Sequence, residues 1–219
     1  MIVIFNGPPG AGKDEACLFF KQLGYKHLSF KEELFKETFK YFNVSAEWFM
    51  NDYNNRSVKE MPVEELKVDG VPLSRRDAMI YVSEKYIKPK FGSDYFGQQL
   101  SNHIDKDGNF SVSDGGFIEE LTPIINRVGA DNIILVQLTR EGCDFSSDSR
   151  RYFNGNLVKE FVLDKETPIS TEHVLTKKIP IRTYRVHNNG TVKEFHMALN
   201  SIHEKESNVK ENKAKGNAY

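Results

Sequence analysis

The spacing of apolar and polar residues predicts strands that alternate with helices along the chain. Apolar runs of strand length occur at residues 2–5 and 132–138. Elsewhere apolar residues recur every three or four positions, which is the helical period. The predicted strands are 2–5, 26–30, 110–113, 132–138 and 183–187. The predicted helices are 15–22, 32–42, a short one after Ser45, 75–86, 94–104, 118–128 and a last one capped by Thr191.

This alternation predicts an α/β fold with a largely parallel sheet, helices on both faces and right-handed crossovers. In such folds, ligands bind beyond the carboxyl ends of the strands. Residues 51–73 are polar and contain prolines, so we expect them to be irregular. Residues 157–182 are ambiguous, with a short hairpin around residues 158–163 as one interpretation. The charged tail from residue 204 is predicted to be disordered.

The composition and charge of the chain exclude several classes of protein. The chain has 219 residues, which suits one domain. Its net charge of −1 gives no basic field for binding nucleic acid or an anionic membrane. Its apolar runs are far shorter than the roughly 20 residues that a membrane span needs. Cys17 and Cys143 form no C-x-x-C pattern and fit a reducing compartment. We therefore expect a cytoplasmic protein without nucleic-acid or membrane partners.

The spacing Gly7-x-x-x-x-Gly12-Lys13 follows the first strand and opens the first helix, which is typical of a P-loop (Walker A motif). Glycines let backbone N–H groups turn around a polyphosphate, and the helix N-terminus and Lys13 add positive charge. An ordinary Gly-Pro turn is the alternative. The motif normally ends in Ser or Thr, which ligates Mg²⁺, but here it ends in Asp14, so the metal arrangement stays open. The residues expected to bind ATP here are Gly7, Gly10, Ala11, Gly12, Lys13 and Asp14.

Charged residues beyond two later strands are candidates for the reaction. Asp114 ends a strand, where a carboxylate can hold Mg²⁺ directly or through water, or touch an acceptor. A helix N-cap is the alternative role. Arg140, Arg150 and Arg151 lie in the polar segment after strand 132–138. The planar guanidinium stabilises charge on a transferring phosphoryl group, so we interpret this segment as a lid. A solvated charged loop is the alternative.

Two further patterns are less specific. Arg75 and Arg76 begin a helix, where the macrodipole disfavours cations, so we predict that they bind an acceptor phosphate. A pair of surface residues is the alternative. Asn188 and Gly190 lie in the turn after the last strand and are predicted to line an adenine site. A turn followed by a helix cap explains them equally well.

Together these residues resemble the deoxynucleoside monophosphate kinases of tailed bacteriophages. In that family the Walker A loop commonly ends in Gly-Lys-Asp, as Gly12-Lys13-Asp14 does here. Two departures leave the accepted nucleobases open: Gly116 stands where the family usually has Arg, and the stretch after Ser29-Phe30 lacks the family's Ala-Asp-Pro-Leu-Lys. The other similar patterns are Ser113-Asp114-Gly115-Gly116-Phe117 with Glu119 and Glu120, Arg75-Arg76-x-x-Met79 with Asp94-Tyr95-Phe96, Arg140-Glu141-Gly142, and Asn188-Asn189-Gly190-Thr191.

The resemblance implies a P-loop NTPase fold, with one kinase domain over residues 1–203. It places an acceptor-binding insertion at about 31–105 and a lid at about 139–182, with residues 204–219 as the tail. It implies transfer of the γ-phosphate of ATP to a deoxynucleoside monophosphate with Mg²⁺, in the cytoplasm (the host's, if the chain is phage-encoded), and it suggests a homodimer.

The roles that follow can be stated by group. The catalytic residues are Lys13, Asp114, Arg140, Arg150 and Arg151. The metal is organised by Asp14 and Asp114. The acceptor-binding residues are Ser29, Arg75, Arg76, Met79, Asp94, Tyr95 and Asp114.

Other functions stay open at this point. A P-loop kinase for another small acceptor, of the phosphomevalonate or dephospho-coenzyme A type, shares the same logic. A non-kinase NTP-binding or ATPase module is a second alternative, although the chain has no Asn-Lys-x-Asp guanine motif. A degenerate loop that serves only as a scaffold is a third.

Overall fold

A computed structural model describes residues 1–55, 57–105, 107–146, 150–153, 158–162, 173–177 and 181–216, with only the backbone for 158–162, 173–177 and 213–216. In chain order, the strands are β1 (Ile2–Asn6), β2 (Lys26–Leu28), β3 (Pro62–Val68), β4 (Val71–Ser74), β5 (Phe110–Val112), β6 (Ile133–Thr139), β7 (Val158–Val162), β8 (His173–Lys177) and β9 (Arg182–His187). The α-helices are α1 (Lys13–Gln22), α2 (Phe30–Phe42), α3 (Ala46–Tyr53), α4 (Arg75–Tyr81), α5 (Lys88–Phe91), α6 (Tyr95–Asn102), α7 (Ile118–Val128) and α8 (Val192–Gly216).

The chain forms two compact units. The first comprises Met1–His27, Asp105–Ile118 and Val128–Tyr219. The second comprises Leu28–Ile104 and Glu119–Arg127. The second unit covers most of residues 31–105, the region where an acceptor-binding insertion is predicted. That binding role stays a prediction.

A five-stranded sheet organises the first unit, in the order β2–β5–β1–β6–β9. Strand β1 lies parallel to both β5 and β6, and β6 lies parallel to β9. Every residue of β1 is buried, as expected for a strand in the middle of a parallel sheet. The predicted α/β class with a parallel sheet and flanking helices is confirmed.

Alternate residues of the central strands pack against α1 and α8. One buried cluster joins Val3 and Phe5 of β1 to Phe20 of α1 and Leu199 of α8. The rings of Phe5 and Phe20 meet edge to face, with their centroids 5.4 Å apart. This packing holds α1 and α8 against the central strands of the sheet.

Helix α8 is longer than the sequence pattern indicated. We expected residues from 204 onward to be disordered, but the structure places residues 204–216 in α8, while 217–219 lie outside the described residues. The reason is a buried contact of Glu206, whose carboxylate accepts a hydrogen bond from Tyr184 and pairs with Arg182 Nε at 2.8 Å. A buried ion pair with β9 gives this charged stretch a folded partner, which helical spacing of apolar residues does not reveal.

The second unit has its own apolar core of Phe49, Leu66, Ala78 and Met79. The expectation that residues 51–73 are irregular was wrong for its second half, because β3 and β4 form an antiparallel hairpin there. Asp69 and Gly70 turn this hairpin with φ values of 51° and 80°. An Asp-Gly pair at positive φ is a strong hairpin signal, so the sequence did contain this information.

The helix predicted for residues 75–86 is divided. Helix α4 is followed by a π-helical turn at Val82–Ile87 and then by α5. Pro89 lies in the first turn of α5.

Part of the predicted lid is described. A short hairpin was expected around residues 158–163; instead, residues 158–162 form one strand, β7, which pairs antiparallel with β8 at residues 173–177. The remainder of the predicted lid at 147–149, 154–157, 163–172 and 178–180 lies outside the described residues. Within the described part of the chain, no helix combines the length and apolar character needed to cross a bilayer.

Candidate functional site

Loops that follow three parallel strands, β1, β6 and β9, meet at the carboxyl edge of the sheet. The loop at residues 7–12, called the glycine loop below, follows β1. Arg140, after β6, donates from Nη1 to the Gly10 carbonyl at 3.3 Å. Asn188, after β9, donates from Nδ2 to the Ala11 carbonyl at 3.0 Å. Residues separated by more than 120 positions in the chain therefore share one small region.

The glycines of this loop are required by close approach and by backbone conformation. Gly10 and Gly12 have φ values of 82° and 102°, which side chains rarely adopt. A Cβ on Gly7 would lie 2.6 Å from the Leu138 carbonyl oxygen, and one on Gly12 would lie 2.5 Å from Asn188 Nδ2. The loop therefore presents bare backbone, which is the arrangement that a polyphosphate needs.

Lys13 is folded across the glycine loop. Its Nζ donates to the carbonyl oxygens of Gly7 and Pro8, each at 2.7 Å. Helix α1 begins at Lys13, and its N-cap residue, Gly12, supplies no side-chain hydrogen bond to the first turn. The N–H groups of a first helical turn attract anions when no side chain caps them.

Asp14 and Asp114, the predicted metal residues, both influence one buried thiol. Burial, opposed by a hydrogen bond from Ser111 and aided by the Asp114 and Asp14 carboxylates, raises the pKa of the Cys17 thiol to about 12. Asp114 is buried and follows Ser113, whose hydroxyl is 3.0 Å from His27 Nε2. Asp14 is exposed in the first turn of α1. Both carboxylates therefore act on the same region beside the glycine loop.

The donor set fits a hard cation that keeps most of its own water. No group of three or more His, Cys, Asp or Glu side chains suited to a metal occurs among the residues that the structure describes. Mg²⁺ is commonly held by one or two carboxylates together with substrate phosphates and water. Asp14 and Asp114 match that requirement, and the bare backbone of the glycine loop matches the phosphates.

The described end of the predicted lid is attached to the sheet. The segment at residues 150–153, called the anchored segment below, returns along the carboxyl edge. Its Tyr152 hydroxyl donates to the Leu138 carbonyl at 2.8 Å, and the Arg151 carbonyl accepts from Asn6 Nδ2 at 3.0 Å. The stem of Arg150 lies across Gly116, where an added Cβ would be only 2.1 Å from Arg150 Cδ. Arg150 is thus held against the loop that contains Asp114.

Asn188 and Gly190 have local structural contacts. The Asn188 amide binds the glycine loop, as described above. A Cβ on Gly190 would lie 2.5 Å from Glu194 Oε2, beside the start of α8. Asn189 also accepts from the Glu141 backbone N–H at 2.8 Å, which ties the loops after β6 and β9 together. The adenine role of Asn188 and Gly190 stays a prediction.

Arg75 and Arg76 of the second unit have different environments. The Arg75 side chain is 4% exposed, donates to the Phe49 carbonyl at 3.1 Å and pairs with Asp52 at 2.8 Å. Its guanidinium also lies 4.7 Å from the Trp48 ring centroid. Arg76 is 37% exposed, with Glu60 at 3.5 Å. Arg76 is therefore the more accessible cation of the pair.

The other predicted acceptor residues also have contacts within the second unit. The Ser29 hydroxyl caps α2 by accepting from the Lys31 N–H. Met79 is buried in the core, and Asp94 accepts from Gln98 at 2.9 Å. Tyr95 donates to Glu37 at 3.0 Å, and burial, followed by this hydrogen bond, raises the pKa of Tyr95 to about 12. These contacts are structural, and the acceptor roles stay predictions.

Sequence reasoning did not single out Asn6 and Gln137. Both are buried amides at the carboxyl ends of apolar strands, and both bind the anchored segment. The available signal was a single amide side chain in each otherwise apolar run. No protein-family model and no curated protein sequence matches the chain. A functional assignment therefore rests on the residues and their geometry.

Proposed function

We propose that the protein is a P-loop nucleoside monophosphate kinase that transfers the γ-phosphoryl group of ATP to a deoxynucleoside monophosphate. The observation that carries this proposal is the convergence on the glycine loop of Lys13, Arg140 and Asn188 at the carboxyl edge of a parallel sheet. Bare backbone, a helix N-terminus and two cations in one place are suited to a polyphosphate.

The glycine loop binds the β- and γ-phosphates through its N–H groups. Lys13 exchanges its two backbone carbonyl partners, Gly7 and Pro8, for phosphate oxygens, which are stronger acceptors for an ammonium group. Asn188 keeps the Ala11 carbonyl turned toward itself and away from the phosphates. The loop therefore binds anions without a side chain entering the space.

Three arginines neutralise charge on the transferring group. Arg140 lies at the glycine loop, and Arg150 lies beside the Asp114 loop. Arg151 follows it on the exposed surface of the anchored segment. Catalysis of phosphoryl transfer depends mainly on positioning and charge stabilisation, which cations on a fixed backbone provide.

Asp14 and Asp114 are the residues that would hold Mg²⁺. When bound, Mg²⁺ neutralises phosphate oxygens and orients the polyphosphate. A general base is unnecessary, because an oxygen of the acceptor phosphate is already ionised at pH 7.

Arg76 is the proposed ligand of the acceptor phosphate, because its guanidinium is accessible whereas that of Arg75 is buried in an ion pair. Ser29, Asp94 and Tyr95 are proposed to contact the rest of the acceptor, and Arg75 and Met79 to support them from the core. The choice of a deoxynucleoside monophosphate follows from the resemblance of the motifs. The same resemblance supports the proposals of a cytoplasmic location and a homodimer.

The decisive experiment is a coupled ADP-release assay with ATP, Mg²⁺ and a panel of deoxy- and ribonucleoside monophosphates. We expect turnover with at least one deoxynucleoside monophosphate and none without Mg²⁺. Lys13→Ala should lower turnover by roughly two orders of magnitude or more, because a loop cation that stabilises transferring charge is lost. Lys21→Ala, at the exposed far end of the same helix, is the matched control and should retain activity.

ATP binding measured by calorimetry separates the alternatives. Mg²⁺-dependent ATP binding without turnover of any monophosphate would overturn the kinase proposal and favour a non-kinase nucleotide-binding module. Turnover with phosphomevalonate or dephospho-coenzyme A alone would replace the acceptor class.

A further inference from the structure

A row of polar side chains crosses three adjacent strands at the carboxyl edge of the sheet. Asn6 of β1 is in register with Gln137 of β6, and Gln137 is in register with Arg185 of β9. Asn6 is fully buried, Gln137 is 6% exposed, and Arg185 donates to the Gln137 side-chain oxygen at 3.1 Å. Buried amides reduce stability unless their polar groups are bonded, so their presence in apolar strands needs a reason.

Both amides form hydrogen bonds with the backbone of the anchored segment. Asn6 Nδ2 donates to the Arg151 carbonyl at 3.0 Å, and the Phe153 N–H donates to Asn6 Oδ1 at 2.8 Å. Gln137 Nε2 donates to the Phe153 carbonyl at 2.6 Å. Two neighbouring strands therefore hold both sides of Phe153 through buried hydrogen bonds, and the segment has a fixed position on the sheet.

Asn6 also fixes the loop on which Arg150 rests. Its Nδ2 donates to the Gly115 carbonyl at 3.1 Å, in addition to the Arg151 carbonyl. A Cβ on the next residue, Gly116, would lie 2.1, 2.3 and 2.8 Å from Cδ, Cγ and Cβ of Arg150. One buried amide thus sets the distance between the two backbones, and Gly116 leaves the space that the arginine stem fills.

We propose that Asn6 and Gln137 are positioning residues that hold Arg150 and Arg151 at the carboxyl edge, and that Gly116 provides the space for Arg150. As far as catalysis is concerned, the inference rests on the proposed kinase function. These two arginines then act from a preorganised backbone, and no closure of the chain is needed to bring them to the sheet. Charges fixed in place before the reaction need no reorganisation during it.

The anchoring is tested without any assay of activity. Trypsin cleaves after arginine, and an anchored backbone resists cleavage until it opens locally. In the folded Asn6→Ala variant, cleavage after Arg150 and Arg151 should be roughly tenfold faster than in the wild type, because buried hydrogen bonds are lost. Fragments are identified by mass spectrometry. Asn200→Ala, which removes an exposed amide of α8, is the matched control and should cleave like the wild type.

The effect on catalysis is tested from the opposite side by Gly116→Ala, which leaves the polar row intact. The added Cβ displaces the Arg150 stem, so we expect kcat to fall by roughly tenfold or more while the Kd for ATP is unchanged. Gly116→Ala combined with Arg150→Ala should turn over no more slowly than Arg150→Ala alone, since the stem that clashes is gone. A general loss of structure would instead add to the effect of Arg150→Ala and weaken ATP binding.

These experiments distinguish a failure of the anchoring inference from a failure of the proposed kinase function. Wild-type cleavage rates in both Asn6→Ala and Gln137→Ala would overturn the anchoring. Full activity of Gly116→Ala, or a further loss in the double variant, would overturn the positioning of Arg150. If the wild type has no turnover, the proposed function fails on its own, whereas the trypsin comparison still decides whether these amides anchor the segment.

Discussion

At the scale of single residues, Gly12 combines a left-handed backbone conformation with a close neighbour. Its φ of 102° disfavours any side chain, and a Cβ would lie 2.5 Å from the Asn188 nitrogen that holds the Ala11 carbonyl. Gly24 has a similar φ of 86°, but nothing lies within 4 Å of its added Cβ. Comparing alanine substitutions at Gly12 and Gly24 therefore distinguishes the effect of backbone strain from the effect of disrupting the glycine loop.

We predict that Gly12→Ala weakens ATP binding by at least roughly tenfold and that Gly24→Ala does not. Both substitutions should destabilise the fold by about 1–2 kcal/mol, because each forces an alanine into the left-handed region. Calorimetric titration with ATP measures the first effect, and urea denaturation measures the second. Equal losses of ATP affinity in both variants would show that strain alone is responsible.

Substitution of the two adjacent arginines in α4 is predicted to affect different properties, stability for Arg75 and acceptor binding for Arg76. Arg75→Ala leaves Asp52 and the Phe49 carbonyl without their partner and removes a cation from the Trp48 ring. We expect a loss of stability of about 2–4 kcal/mol, measured by urea denaturation.

Arg76→Ala should change stability by less than about 1 kcal/mol, because its contact with Glu60 is exposed. Instead it should raise the KM for the monophosphate acceptor in the ADP-release assay. An unchanged KM would remove Arg76 from the acceptor site.

At the scale of secondary-structure elements, helix α8 begins with a reciprocal cap. Thr191 donates from its N–H and its hydroxyl to Glu194 Oε2, at 2.7 and 2.8 Å, and the Glu194 N–H donates back to Thr191 Oγ1 at 3.3 Å. The backbone hydrogen bond from Thr191, followed by that from its hydroxyl, lowers the pKa of Glu194. The part of the cap that depends on the Glu194 carboxylate is therefore fully present above about pH 4.5 and is lost as the pH falls below that value.

We predict that Thr191→Ala lowers the free energy of unfolding by about 1 kcal/mol, the usual contribution of an N-cap hydroxyl. Urea denaturation followed by circular dichroism at 222 nm measures this loss. Ser201→Ala is the control, because that hydroxyl bonds to Met197 within the same helix and caps nothing. The difference between the two variants should shrink at acidic pH, and a constant difference would contradict the role of the Glu194 carboxylate.

Some helices and strands could be predicted from the spacing of apolar residues, and others could not. Strands β1 and β6 were predictable because their apolar runs are continuous, and α8 was predictable at its start because Thr191 and Glu194 form a local cap. Its end was not predictable, since Glu206 is buried by partners more than 20 positions away in the chain. Asn6 was overlooked for the same reason: its partners, Gly115 and Arg151, are distant in sequence. Interactions between distant residues leave no period in a sequence.

At the scale of the whole molecule, strand order brings the candidate phosphate-binding residues together. The sequence predicts alternating strands and helices, but it does not predict that β1 lies between β5 and β6. That order places the glycine loop beside both the Asp114 loop and the loop that begins with Arg140. The motifs could be identified along the chain, whereas their proximity depends on pairing between strands more than 100 residues apart.

Two buried ionisable groups of the first unit make the free energy of unfolding depend on pH in the alkaline range. Burial raises the pKa of Cys17 from 9.0 to about 12 and that of Tyr25 from 10.0 to about 12. Between these limits both groups are ionised in the unfolded chain but remain protonated in the folded protein. Ionisation therefore favours the unfolded state, and stability is fully present below pH 9 and is lost as the pH rises towards 12.

We predict that the free energy of unfolding, measured in urea from pH 8 to 11, falls with a slope approaching about 1.4 kcal/mol per pH unit for each such group. Cys17→Ala should start from a different stability but show a shallower slope above pH 9, because its thiol contribution is absent. Cys143→Ala, which removes a partly exposed thiol, is the matched control for the loss of a cysteine. Identical slopes in the wild type and Cys17→Ala would show that the thiol does not remain protonated in the folded protein, and would remove the neighbouring carboxylates of Asp14 and Asp114 as an influence on it.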